Sequence, residues 1–216
     1  VKLLAKTDLT QAAVTKQTTQ LSNAIAALEK APCDGGDNCT SGTYTDLDTT
    51  LWYHPYVDYV VENQLMVGYG NQFSPYVKLS RGMLMQILYN QAGRPAVTAK
   101  SPFSDVPSGQ WYSDAVIWAY EQGIAKGYGN GIFGPSDPIT RDQLATFLWR
   151  AAGEPNTTKT TLAFPDASDV SSFAQKAMLW ANENQIIIGY DDGTLKPLET
   201  ATRVEAATMV ARYFQQ

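Results

Sequence analysis

The sequence predicts a mainly α-helical chain of three tandem two-helix repeats, arranged pseudo-threefold around a central three-helix bundle. Two observations carry this. A set of landmarks recurs in the same order about every sixty residues, and each copy closes on an apolar stripe at helical spacing.

Each copy begins with an aromatic-x-Asp step, at Tyr44-Thr45-Asp46, Phe103-Ser104-Asp105 and Phe164-Pro165-Asp166, followed by a bulky aromatic at Trp52, Trp111 and Phe173. A first helical stretch comes next, predicted in the second copy from about Tyr112 to Gln122, with Ala115, Trp118, Ala119 and Gln122 on one face and Gly123 as its stop. A glycine turn follows, at Gly68-Tyr69-Gly70-Asn71, Gly127-Tyr128-Gly129-Asn130 and Gly189-Tyr190-Asp191-Asp192, then a bulky residue and proline at Phe73-x-Pro75, Phe133-x-Pro135 and Leu195-x-Pro197. The second helix opens on an arginine in every copy: Arg81, Arg141 and Arg203. Thr140 with Gln143 and Thr202 with Glu205 have capping-box spacing, whereas Ser80-Arg81-Gly82-Met83 keeps only the cap and carries a glycine that weakens a helix. Leu84, Ile87 and Leu88 then align with Leu144, Phe147 and Leu148 and with Ala206, Met209 and Val210. Those are three equivalent buried stripes able to converge at one centre.

The predicted boundaries are an N-terminal helical segment over 1–31 (Leu3, Leu4, Leu21, Ile25 and Leu28 at amphipathic spacing, a candidate tail of a preceding module), a Cys-flanked linker over 32–43, and repeats over 44–101, 102–162 and 163–216. The chain starts at Val1 with no basic-then-apolar leader, which predicts a fragment of a longer precursor. Its 216 residues, 44% hydrophobic, suffice for a sizeable core. A net charge of −5 opposes nucleic-acid binding, and the longest apolar runs, such as Ile186-Ile187-Ile188, are far too short for membrane insertion. Any anionic ligand must be held by local arginines. Cys33 and Cys39 flank a turn-rich string and suit a local disulfide in an oxidising setting. The alternative is a pair of free thiols, and two cysteines with no neighbouring histidine are too few for a zinc site, so no metal and no cofactor are expected.

With these motifs in order, residues 44–216 resemble the S-layer homology (SLH) domain family, whose repeats carry an aromatic-x-Asp start, a Trp, a Gly-Tyr-x-x-Gly loop and a Thr-Arg-Ala-Glu-like motif. The resemblance implies a three-lobed spindle whose grooves bind acidic secondary cell-wall polysaccharide, often bearing pyruvate ketals. It further implies non-covalent tethering of a larger surface protein, an extracellular location at the cell wall or S-layer, and other surface-layer proteins as candidate partners. The Thr-Arg-Ala-Glu motif is kept only in its arginine, and the third copy has Phe173 for Trp and Asp191-Asp192 for Gly-Asn, so the grooves are expected to be unequal, with Arg141 the foremost candidate.

Candidate ligand-binding residues are Arg81, Arg141, Arg203, Asp46, Asp105, Asp166, Trp52, Trp111, Tyr69 and Tyr128. An arginine at a capped helix start offers a planar fork beside outward-facing amides, which together suit a carboxylate; the alternative is an internal pair of Arg141 with Asp105 or Asp142. The aspartates suit sugar hydroxyls or, alternatively, turns and caps. The Trp rings suit a sugar face or the core, and the tyrosines suit a groove or the lobe surface. Catalysis has little support. The single histidine, His54, is read as a surface residue without a recurring partner, and Gly127-x-Gly129-x-Gly131 lacks the strand and the Lys-Ser/Thr of a phosphate loop. Two rival functions remain: an adhesive module making protein contacts, and an enzyme acting on wall polysaccharide.

Overall fold

The computed structural model describes residues 39–216, so the helix expected over 1–31 and the Cys33–Cys39 pairing lie outside the described residues. Six α-helices follow in order: α1 (His54–Glu62), α2 (Arg81–Gln91), α3 (Ser113–Glu121), α4 (Arg141–Ala151), α5 (Gln175–Glu183) and α6 (Arg203–Phe214), with two short 3₁₀ turns before α5. Each repeat supplies a first helix of nine residues and a second of eleven or twelve. The three aligned apolar stripes are all buried.

The helix starts differ in chemistry. Thr202 and Glu205 form the expected capping box, and Ser80 Oγ accepts from the Met83 amide. Thr140 does not cap α4. Its hydroxyl donates to Asp142 Oδ1 (2.5 Å), and Gln143 turns outward to accept from Arg81 Nη1 (3.1 Å), so the predicted Thr140–Gln143 box is replaced by a contact between repeats.

Packing is exchanged between repeats. The second helix of each copy lies against the first helix of the next: α2 on α3, α4 on α5, and α6 back on α1, with α4 and α6 touching more lightly. Backbone bonds close the same circle at the centre. Leu79 N–H donates to Ala201 O, Ala201 N–H to Ile139 O, and Ile139 N–H to Leu79 O, each at 2.9 Å, with all three side chains buried.

A second circle engages the helix starts. The first two amides of α2 donate to Asp137 O and Pro135 O, those of α4 to Glu199 O and Pro197 O, and those of α6 to Val77 O and Pro75 O, all at 2.9–3.1 Å. The proline loop of the following repeat thus satisfies donors that a helix leaves free. A Cβ on Gly82 would lie 2.8 Å from Pro135 O. The glycine that weakens α2 by propensity is therefore demanded by this close approach.

Candidate functional site

The glycine loops are held by the aromatic-x-Asp steps of their own repeats. Asp46 accepts from the Phe73 and Ser74 amides, Asp105 from Phe133 and Gly134, and Asp166 from Leu195 and Lys196, at 2.7–3.1 Å. The ring of the step faces the loop's leading glycine: a Cβ would meet Tyr44 Cε1 at 2.3 Å on Gly68, Phe103 Cε1 at 2.6 Å on Gly127 and Phe164 Cε1 at 2.5 Å on Gly189. The three aspartates are loop clamps, and their carboxylates are already committed.

The arginines reach across repeats. Arg81 Nε donates to Phe133 O (2.9 Å), Arg141 Nε to Leu195 O (3.0 Å) and Arg203 Nε to Phe73 O (2.7 Å). Each guanidinium also lies over an aromatic ring of the receiving repeat: Arg81 4.4 Å from the centroid of Tyr128, Arg141 4.5 Å from Tyr190, and Arg203 4.6 Å from Phe73. Arg81 and Arg141 are only 3% and 6% exposed. Burial pulls the Arg81 and Arg203 guanidiniums below their usual values, against the raising effect of Tyr128, Asp137 and Asp105 on Arg81 and of Tyr44 and Asp46 on Arg203; an arginine remains cationic nonetheless.

Two expectations are corrected here. The helix-start amides do not face outward to a ligand, because the neighbouring proline loops take them. Arg141 pairs with neither Asp105 nor Asp142: Asp105 holds its loop, and Asp142 accepts from Thr140 and leaves Oδ2 buried without a hydrogen bond.

Three grooves result, each built from all three repeats. The Arg81 groove (320 Å³) joins Arg81 of the first repeat, Tyr128 and α4 of the second, and Phe173 of the third. The Arg141 groove (320 Å³) joins Trp52, Arg141, and the Tyr190 loop with α6. The Arg203 groove (610 Å³) joins Arg203, the Tyr69 loop with α2, and Trp111. Residues that were expected together within a repeat are thereby dealt to different grooves. Trp52, Trp111 and Phe173 are more than half exposed, not core, since each precedes its helix and stands at the rim of a neighbour's groove.

The groove floors follow one helical register. Gln143, Thr146, Phe147 and Arg150 of α4 correspond to Glu205, Thr208, Met209 and Arg212 of α6 and to Met83, Gln86, Ile87 and Asn90 of α2. The last position therefore supplies a second guanidinium to two grooves and an amide to the third. Sequence reasoning passed over Arg150 and Arg212; the signal was an arginine nine residues after the helix-opening one. Arg212 Nε and Nη2 donate to the Tyr56 hydroxyl (3.3 Å), whereas Arg150 Nη1 donates to Ile124 O (3.3 Å) and its Nε is buried without a partner. The Arg81 groove has no carboxylate in its lining. The Arg141 groove has Asp191 and Glu205, the latter bonded to the Tyr190 hydroxyl. Burial raises the Tyr190 phenol, and the bond to Glu205 raises it further. Burial likewise raises Glu205, but hydrogen bonds from Thr202 and Tyr190 outweigh it and hold that carboxyl below its usual range.

Comparison with known proteins places this architecture. The S-layer homology domain matches at residues 43–82, 102–145 and 163–207. The chain belongs to the S-layer homology domain family. As an SLH chain it is 30% identical over 173 residues to an endoglucanase of Bacillus sp. (strain KSM-635), covering 78% of this chain and 18% of that protein. It is 30% identical over 182 residues to the S-layer protein sap of Bacillus anthracis, covering 81% of this chain and 21% of the relative. It is 27% identical over 122 residues to a cellulosome-anchoring protein of Acetivibrio thermocellus, covering 55% and 26%. The SLH chain thus spans about a quarter or less of the length of these relatives. No helix among the described residues is long and apolar enough to cross a membrane.

His54, expected at the surface, is 1% exposed. Its Nε2 lies 3.3 Å from Cys39 Sγ and 3.0 Å from Ser41 Oγ, and none of the three residues lines a groove.

Proposed function

We propose that this SLH chain is a non-catalytic module that anchors a larger surface protein to the bacterial cell wall, and that it does so by holding an acidic wall polysaccharide in its grooves. Family membership and the S-layer and cellulosome-anchoring relatives support the anchoring role. The observation that carries the ligand class is the Arg81 groove, where Arg81 and Arg150 line one cavity free of carboxylates. A sugar carboxylate, such as that of a pyruvate ketal, meets two guanidiniums there, with Tyr128 and the exposed Phe173 flanking the sugar faces. The Arg141 groove, the foremost candidate from the sequence, also has two guanidiniums but carries Asp191 and Glu205 beside them, and the Arg203 groove has one guanidinium with Asn90, so in this reading both rank below the Arg81 groove. The endoglucanase match covers 18% of that enzyme, and no catalytic role is assigned to this chain.

The test is sedimentation of the protein with purified wall polymer. Binding is expected to be lost when the acidic substituents are removed chemically, and Arg150→Ala, which also frees Ile124 O, is expected to weaken it about tenfold or more while the helical circular dichroism and a cooperative melting transition are retained. Binding that persists undiminished after removal of the acids refutes the ligand class and favours a module making protein contacts through its rim aromatics.

A further inference from the structure

The Cys39 cluster belongs to none of the three grooves. Cys39, His54 and Asp58 are each at most 7% exposed, and His54 and Asp58 sit four apart on one face of α1. Cys39 Sγ lies 3.3 Å from His54 Nε2, and 3.6 and 3.9 Å from the two Asp58 oxygens; one donor atom from each residue falls within 4.8 Å of the others. Tetrahedral Zn²⁺, with bonds of about 2.0–2.3 Å, sets its ligand atoms roughly 3.3–3.8 Å apart. Ser41 completes the surroundings: its amide donates to Asp58 Oδ1 (2.9 Å), fixing the carboxylate as outer-sphere partners do, and its hydroxyl lies 3.0 Å from His54 Nε2 and 4.0 Å from Cys39 Sγ, within reach of a fourth vertex.

The other repeats show that the scaffold does not need these groups. The helix positions of His54 and Asp58 are taken by Ser113 and Ile117 in α3 and by Gln175 and Leu179 in α5. Burial also excludes a nucleophilic role, because a substrate cannot reach a thiol and an imidazole enclosed in this way.

We propose that Cys39, His54 and Asp58 form a structural site for Zn²⁺ or a similar thiolate-preferring divalent cation, which pins the segment entering the first repeat onto α1. On binding, the Cys39 thiol releases its proton to solvent and ligates as thiolate, while imidazole Nε2 and the Asp58 carboxylate ligate through lone pairs; no electron is transferred.

The test uses the full chain, reduced and stripped of metal, titrated with Co²⁺ as a spectroscopic stand-in. A thiolate-to-cobalt charge-transfer band saturating at one equivalent is expected, displaced by Zn²⁺, retained in Cys33→Ser and lost in Cys39→Ser. Absence of the band in the native chain, its loss in Cys33→Ser, or its survival in Cys39→Ser overturns the proposal. So does purified native protein that contains no zinc and no free thiol, which is the disulfide outcome. Should Cys39→Ser fail to fold, the native chain still decides: Zn²⁺ at about a hundredfold over its dissociation constant is expected to raise the melting temperature by about 5–10 °C, and no shift overturns the site.

Discussion

At the scale of single residues, the three helix-opening arginines are mortar between repeats, each donating to a carbonyl of another copy. Arg81 is 3% exposed and bonded to a carbonyl of the next repeat, so Arg81→Ala strands Phe133 O and is expected to cost about 1–3 kcal/mol in denaturant unfolding. Arg150, half-buried where Arg81 is buried, is the cleaner probe of binding. Gly82→Ala inverts the usual rule. Propensity alone promises a gain of roughly 1 kcal/mol in a helix, but the new methyl meets Pro135 O at 2.8 Å, and a loss of about 1–3 kcal/mol is expected. For Asp166, burial raises the carboxyl, while the Leu195 and Lys196 amides outweigh it and leave the folded pKa below the unfolded value of about 3.9. Its contribution is therefore full above the unfolded pKa and lost as pH falls through the folded one. Melting temperature is expected to be level above pH about 5 and to decline below about 4, with a shallower decline in Asp166→Asn. The arginines and clamp aspartates were legible because they recur at fixed places. His54 was not, because what buries it is the irregular segment at Cys39–Ser41, which carries no periodic signal.

At the scale of elements, helix positions and buried stripes were readable from period and caps, and α3 falls within a residue of its predicted ends. Which helix packs on which was not readable, since a 3.6-residue stripe says that a face is covered and not by what. The exchange of α2 onto α3, α4 onto α5 and α6 onto α1 explains why candidate residues grouped by repeat separate into different grooves. The same exchange predicts that deleting residues 154–216 bares the covered faces of α1 and α4 together. Such a chain is expected to lose its cooperative thermal transition by circular dichroism and its slow amide exchange in α1, although more than a hundred described residues remain.

At the scale of the whole molecule, the similarity of the repeats and the inequality of the grooves have one origin. Each groove takes its arginine, its floor and its rim aromatic from different copies, so each copy plays a different part in each groove and a single substitution marks only one of them. Asn90 in place of an arginine removes charge from the Arg203 groove alone, while Phe173 in place of Trp marks only the Arg81 groove. The ring of Leu79, Ala201 and Ile139 bonds carries a consequence in time. Two of its three links close only when the third copy is present, and every groove likewise lacks a wall until then. On the proposed function, a chain whose third copy has not yet folded offers no complete groove, so full attachment waits for that copy.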